Sequence, residues 1–275
     1  MSENTKNNTY DNTILKSGIF IHEKIVRIPK IIHQTYKSLE ELPEEWQKTP
    51  SLWKKYHPEW KYKFWSDKDC DNLILKYPEF LKTYQSYKYV IQKIDLIRLL
   101  FIYEYGGLYV DMDIIPQQNL DFLFELNRDI YLVSSSFSGF LTNAIIAGKK
   151  KSVFIKKCLR EMVIRRKYPS VIYTFTKHSY IMHTTGPWLI TDMHAKYKEK
   201  ISNTILTKVI SKSCDVCSEK PCSNYNGLTK ILQGSSWLSL DSKILIFLYC
   251  NSKKILITIA VLIISLYIAY IYGYK

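Results

Sequence analysis

The chain has 275 residues, 47% of them apolar and 23% charged, with nine Gly and nine Pro. That length can bury a substantial core and suits one domain, and the composition excludes collagen-like, short-repeat and disordered acidic proteins. The formal charge of +14 would suit anionic lipid or a phosphorylated substrate. The cations are scattered, however, with no recognition helix, RNA-binding aromatic signature or Cys/His finger beside them, so nucleic acid is not expected as a partner.

Residues 1–25 are polar and lack an apolar run followed by a small-residue cleavage site, so they read as a flexible segment without an export signal. Lys30 to Tyr36 has two isoleucines after a proline and is expected to be the first core strand. Three prolines among the tryptophans of residues 42–59 favour short helices and turns. Tyr62 to Trp65 is a second strand, after which Ser66 offers a helix cap. From Tyr89 to Tyr105 the apolar spacing predicts a helix, stopped by Gly106-Gly107. Leu108-Tyr109-Val110 then enters as a short strand and runs into Asp111-Met112-Asp113, which suggests an α/β domain with its site at a carboxyl strand edge. Ile130 to Ser134 is a further strand candidate and Lys151 to Arg166 a helix. Thr184 to Trp188 forms a turn opening a helix through His194, and Ile205 to Ile210 is another strand candidate. Leu240 to Tyr249 fits either a last core strand or a segment lying against a membrane surface. Residues 255–274 are twenty positions without a formal charge, about 30 Å of helix and enough for one bilayer span.

Asp111 and Asp113 carry the sharpest chemical signal. If the strand continues through them, alternation turns both carboxylates to one side, where a cation would offset their repulsion. Hard oxygen ligands suit Mg²⁺ or Mn²⁺, which also bridge phosphate oxygens. Asp95 and Arg98 share a helix face. They read either as a surface intrahelical ion pair or as groups that bind a sugar and its phosphate. His33 reads as a packed strand residue.

The stretch from Lys93 to Asp113 resembles the sugar-binding region of the DXD-motif glycosyltransferases, which include yeast-type initiating alpha-mannosyltransferases and alpha-1,4-galactosyltransferase-like enzymes, with large clostridial glucosylating toxins more distant. Ile28 to Tyr36 is similar to the family's first strand, and Asn143 and the Gly186-Pro187 turn fall where later motifs are expected. The resemblance covers about residues 27–237 and implies a GT-A-like nucleotide-sugar-binding α/β sandwich. It also implies a divalent cation and a UDP-sugar or GDP-sugar donor. Matched onto this chain, Asp111 and Asp113 engage the metal, Asp95 and Arg98 contact the donor sugar, the segment around Ile32 to Tyr36 lines the base pocket with Tyr36 as its aromatic face, and Asn143 belongs to the donor site. The implied activity is transfer of a hexose to a glycan, glycolipid or glycoprotein hydroxyl, with retention of configuration. Tyr36 stands where the family often has tryptophan. The family also often places a histidine shortly before a late Ser-Trp, where this chain reads Gln233-Gly234-Ser235-Ser236-Trp237 and has none.

Two other functions stay open: a membrane-anchored, catalytically weak nucleotide-sugar-binding protein, and a metal-dependent phosphoryl-transfer enzyme. Cys214, Cys217 and Cys222 lack a nearby fourth zinc ligand and suit a disulfide-tied loop or free thiols. The expected organisation is a glycosyltransferase domain over residues 26–240, a membrane-proximal segment over 241–254 and a transmembrane anchor over 255–274. Lys253 and Lys254 against Lys275 alone favour a cytoplasmic catalytic domain.

Overall fold

The computed structural model describes residues 27–135, 140–207, 209–210, 217, 227–232 and 239–273. The expectations for residues 1–25, Cys214, Cys222, Gln233, Ser235 and Trp237 lie outside these. Strands β1 (Ile31–Thr35), β2 (Lys61–Trp65), β3 (Gly107–Val110), β4 (Ile114–Pro116), β5 (Ile130–Ser134), β6 (Leu141–Gly148), β7 (Asn203–Leu206) and β8 (Thr229–Ile231) alternate with eight α-helices. The helices are α1 (Thr49–Tyr56), α2 (Asp67–Ile74), α3 (Pro78–Ser86), α4 (Val90–Tyr105), α5 (Val153–Lys167), α6 (Lys177–Thr184), α7 (Pro187–Tyr197) and α8 (Leu240–Gly273).

Six strands form one mixed sheet in the order β2-β1-β3-β6-β5-β7, and β4 pairs with β8 in a small second sheet. β1 runs parallel to β2 and β3, whereas β6 is antiparallel to β3 and β5. Strand alternation divides the core. Ile32, Leu108 and Val110 pack with Trp53, Tyr131 and Ile145 on one face, and Tyr109 packs with α4 and α5 on the other. Consecutive side chains of a strand point to opposite faces, which is why Leu108-Tyr109-Val110 serves both cores.

α4 is the central helix. Leu96 to Ile102 are all 3% exposed or less, including Arg98, so these two turns of the helix are enclosed on every side. Gly106 ends it with φ +68°, and Gly107 follows at φ +102°. A Cβ on Gly107 would lie 2.3 Å from the Ile31 carbonyl oxygen, and one on Gly106 would meet Pro29 and the Lys150 amide. The double glycine therefore supplies left-handed backbone and a close approach of β3 to β1. His33 latches the same corner. Its Nδ1 accepts from Trp65 Nε1 at 3.1 Å, which leaves Nε2–H to donate to the Gly106 carbonyl at 2.8 Å.

Ser66 caps α2 in a reciprocal capping box with Asp69. At the other end, Leu240 to Tyr249 is not a strand. It forms the first turns of α8, a 34-residue helix, so the membrane-proximal segment and the uncharged run are one element about 50 Å long. Residues Leu240–Tyr267 are long and apolar enough to cross a membrane, and of their side chains only Ser242, at the end clasped to the domain, is buried among those described. Cys217 forms a disulfide with Cys250 of α8.

Candidate active site

The carboxyl ends of β1 and β3 and the start of β6 meet at one edge of the sheet, and the residues singled out by sequence converge there. Asp111 follows β3 directly, and its backbone N–H donates to the Ala144 carbonyl of β6 at 2.8 Å. The chain then turns. Ile114 N–H bonds back to the Asp111 carbonyl at 3.1 Å, so Asp111 and Asp113 are brought together by a tight turn and not by continued strand alternation. Gln34, one residue from the end of β1, donates to the Asp111 carbonyl at 3.1 Å and is itself held by the Tyr62 hydroxyl at 2.9 Å.

Asp95 and Arg98 form the expected ion pair, 3.3 Å apart, but both side chains are only 3% exposed. That burial removes the surface-pair reading, because an isolated buried charge is strongly disfavoured unless its partners are supplied. Asn143 Nδ2 donates to Asp95 Oδ1 at 2.8 Å, and the Thr185 hydroxyl donates to Oδ2 at 2.7 Å. A carboxylate has about four lone-pair sites, so Asp95 keeps one for another donor. Burial pushes its carboxyl up to about 6, against the opposing pull of Arg98, Thr185 and Asn143.

Arg98 reaches forward from Asp95 to Asp111. Its Nη1 lies 3.2 Å from Asp111 Oδ1 and donates to the Asn143 carbonyl at 3.0 Å. The Tyr109 hydroxyl donates to Asp111 Oδ1 at 2.6 Å, and the guanidinium stands 5.0 Å from the centre of the Tyr109 ring. Asp111 is thus held from behind while its side chain remains 28% exposed. Asp113 has no ion-pair partner among the described residues. Burial, then the charge of Asp111, raise its carboxyl to about 7.

One guanidinium faces three carboxylates in this cluster. Two negative charges are left over, which fits a divalent cation. No group of three or more metal-ligating side chains occurs among the described residues. Two carboxylates with the remaining ligands drawn from substrate phosphate and water is an ordinary arrangement for Mg²⁺-type ions. The donor set therefore fits the implied metal.

Tyr36 closes the edge on the β1 side. It packs edge-on against Trp46 with ring centres 5.7 Å apart, in a small cluster with Met112, and so adjoins the Asp-x-Asp turn. Asn143 is buried, with its amide committed to Asp95; it braces the carboxylate. His33 lies fully inside the fold, away from solvent, and burial lowers its imidazole to about 4. Thr185 and Tyr109 are not among the residues expected at the site, and Gln34, which falls in the segment expected to line the base pocket, braces the Asp111 carbonyl. Only Tyr109 had a readable signal, since alternation puts it on the same side as Asp111.

Residues 43–130 match the family model described as the glycosyltransferase sugar-binding region containing the DXD motif. Over this segment the chain carries the sugar-binding region of that glycosyltransferase family. Mannosyl phosphorylinositol ceramide synthase SUR1 of Saccharomyces cerevisiae is 31% identical over 79% of the chain and 54% of its own length. Inositol phosphoceramide mannosyltransferase 3 of Schizosaccharomyces pombe is 27% identical over 96% of the chain and 72% of its own length. The chain thus spans about half the length of the Saccharomyces relative. The solved PaToxG glycosyltransferase shares the fold at a TM-score of 0.50 and 18% identity, over 63% of this chain and 70% of that one.

Proposed function

We propose that the chain is a metal-dependent glycosyltransferase that moves a hexose from a UDP-sugar or GDP-sugar to a hydroxyl of a glycolipid, with retention of anomeric configuration. The observation that carries this reading is the buried relay Asp95–Arg98–Asp111, which ends in a partly exposed carboxylate beside Asp113. The names of the relatives support mannose as the sugar and an inositol phosphoceramide as the acceptor class. Retention rests on the family resemblance, and no residue is assigned as a nucleophile.

Asp111 and Asp113 would hold the cation. When bound, Mn²⁺ or Mg²⁺ supplies Lewis-acid stabilisation of the diphosphate as charge accumulates on it. Arg98 adds a fixed positive charge behind the same point, in a setting already organised before substrate arrives. Asp95 offers its remaining lone pair to a sugar hydroxyl. Tyr36 and its aromatic neighbours offer a face for the base.

The apolar α8 supports membrane attachment, with residues 26–240 as the catalytic unit. Lys253 and Lys254 favour a cytoplasmic domain, while the Cys217–Cys250 disulfide favours an oxidising compartment. The test of function is a panel of UDP- and GDP-sugars with the purified full chain, phosphorylinositol ceramide as acceptor, and Mn²⁺, Mg²⁺ or EDTA. Metal-dependent glycosylation of the lipid from one donor is expected. Donor binding without turnover would mean a binding protein, and phosphate release without sugar transfer would mean phosphoryl-transfer chemistry.

A further inference from the structure

The last turn of α5 and the connector from it to α6 show an unusual surface. Ile164, Tyr168, Val171, Ile172 and Phe175 are 52, 67, 72, 68 and 80% exposed. A single exposed apolar side chain needs no explanation, but five within twelve residues make a patch of the kind that marks an interaction site. The patch is held firmly. Tyr173, in its middle, turns inward and packs on His183 and Trp188 with ring centres 4.3 and 5.5 Å apart. Thr174 closes the turn by donating to the Val171 carbonyl.

Three observations identify what covers it. The connector leads straight into α6, whose first turn is clasped to the start of α8. His178 N–H donates to Asp241 at 2.8 Å, and His178 Nδ1 lies 3.1 Å from the Ser242 hydroxyl. The patch therefore lies beside the point where the apolar helix leaves the domain, and Leu240, Ile244 and Phe247 of that helix are exposed as well. Cations are interleaved: Lys167 stands 4.9 Å from the Tyr168 ring, and Lys243 is exposed on α8. Long basic side chains and tyrosine among aliphatics suit the boundary between headgroups and acyl chains.

The other end of α6 reaches the candidate site, where Thr184 accepts from Gln92 and Thr185 donates to Asp95. Eight residues of helix span about 12 Å. We infer that residues 164–175 rest on the lipid surface of the membrane that α8 enters, so that α6 holds the donor site over the headgroups. A lipid-borne acceptor hydroxyl is thereby presented to the site without leaving the bilayer. The inference rests on reading α8 as a membrane span and on the glycolipid acceptor proposed above.

The test uses the full chain reconstituted in phospholipid vesicles, with an environment-sensitive fluorescent amino acid replacing Phe175 in one sample and exposed Glu79 in another. A blue shift and quenching by doxyl-labelled lipid are expected at position 175 and not at 79. Equal, water-like emission at both positions, with the protein still resistant to carbonate extraction, overturns the lipid contact alone. Release by carbonate overturns the span as well. Quenching at 175 that follows protein density and not doxyl lipid would identify a second copy as the occupant and overturn the proposal. A second measurement uses Val171→Asp combined with Ile172→Asp. Transfer to vesicle-embedded acceptor should fall by roughly tenfold as apolar burial in the interface is lost, with hydrolysis of the nucleotide-sugar unchanged. Unchanged transfer would contradict the inference, and absence of hydrolysis in the double variant and the parent alike would instead count against the glycosyltransferase reading.

Discussion

Asp111 and Asp113 have opposite electrostatic standing, and this separates two substitutions that sequence alone treats alike. Asp111 neutralises a buried guanidinium and accepts from Tyr109, whereas Asp113 is raised to about 7 by burial and by its acidic neighbour. Asp111→Asn should therefore cost about 1–3 kcal/mol of stability, because Arg98 loses a charged acceptor. Asp113→Asn should be neutral or stabilising above pH 7, where it removes an uncompensated charge. Both should lose metal-dependent turnover by at least about a hundredfold. Chemical denaturation beside donor turnover checks this, and full turnover by both purified variants would sink the metal role. Asp95→Asn makes a different prediction. Asn143 and Thr185 both donate to Asp95, and an amide cannot accept from both with both of its terminal atoms. Binding of the nucleotide-sugar should weaken more than binding of the free nucleotide in calorimetry. Equal losses would assign Asp95 a purely structural part.

The corner where α4, the double glycine and β1 meet sets the spacing of these carboxylates, and His33 reports on it. Its imidazole is lowered from 6.5 to about 4, first by burial. A base with a depressed folded pKa binds fewer protons than the unfolded chain between those values, so its contribution to stability is full above about 6.5 and is lost as pH falls toward 4. The span corresponds to about 3 kcal/mol. Asp95 is shifted upward and titrates with the opposite sign in part of this window, so the informative quantity is the difference between wild type and His33→Gln. That difference in unfolding free energy should grow as pH rises from 4 to 6.5, and a pH-independent difference would show that His33 does not titrate on unfolding. Much of this corner was legible in the sequence. The run of apolar residues gave α4, and two glycines after it could hardly be anything but a stop. The turn at Asp111–Ile114 was not legible, since a strand ending at Val110 and one ending at Asp113 have the same local pattern. β6 was missed for a related reason. Leu141 to Gly148 is almost wholly buried because it runs between β3 and β5 with both faces covered, and such a strand has no polar alternation to announce it. Thr185 was seen only as part of a turn. Its contact with Asp95 spans 90 residues of chain, and no local pattern encodes that distance.

At the scale of the whole molecule, the proposed span of α8 would put the domain of residues 27–240 on one side of a membrane, and two features of the chain pull in opposite directions on which side that is. Lys253 and Lys254 precede the uncharged stretch of α8 and favour the cytoplasmic side by the rule that basic flanks stay inside. Two lysines are a small bias for that rule. Cys217 and Cys250 are joined in a disulfide, and disulfides persist in oxidising compartments while cytosolic thiols stay reduced. That bond also ties a distant part of the domain to α8, three residues before Lys253, so it bears directly on the segment whose side is in question. The disulfide carries more weight, and the domain is expected on the oxidising side. Cys70 and Cys158 are free and buried, and burial raises both thiols well above their ordinary range, so native-state alkylation will leave them unlabelled. Denaturation with a maleimide polymer in the absence of reductant should label them but not Cys217 or Cys250. Reduction first should add at least the two labels of the pair. In sealed membrane vesicles with the cytoplasmic face outward, protease should remove a tag placed after residue 275 and leave residues 27–240 protected. Digestion of the domain, with Cys217 and Cys250 both labelled before reduction, would put it on the cytoplasmic side and show that the lysines prevail.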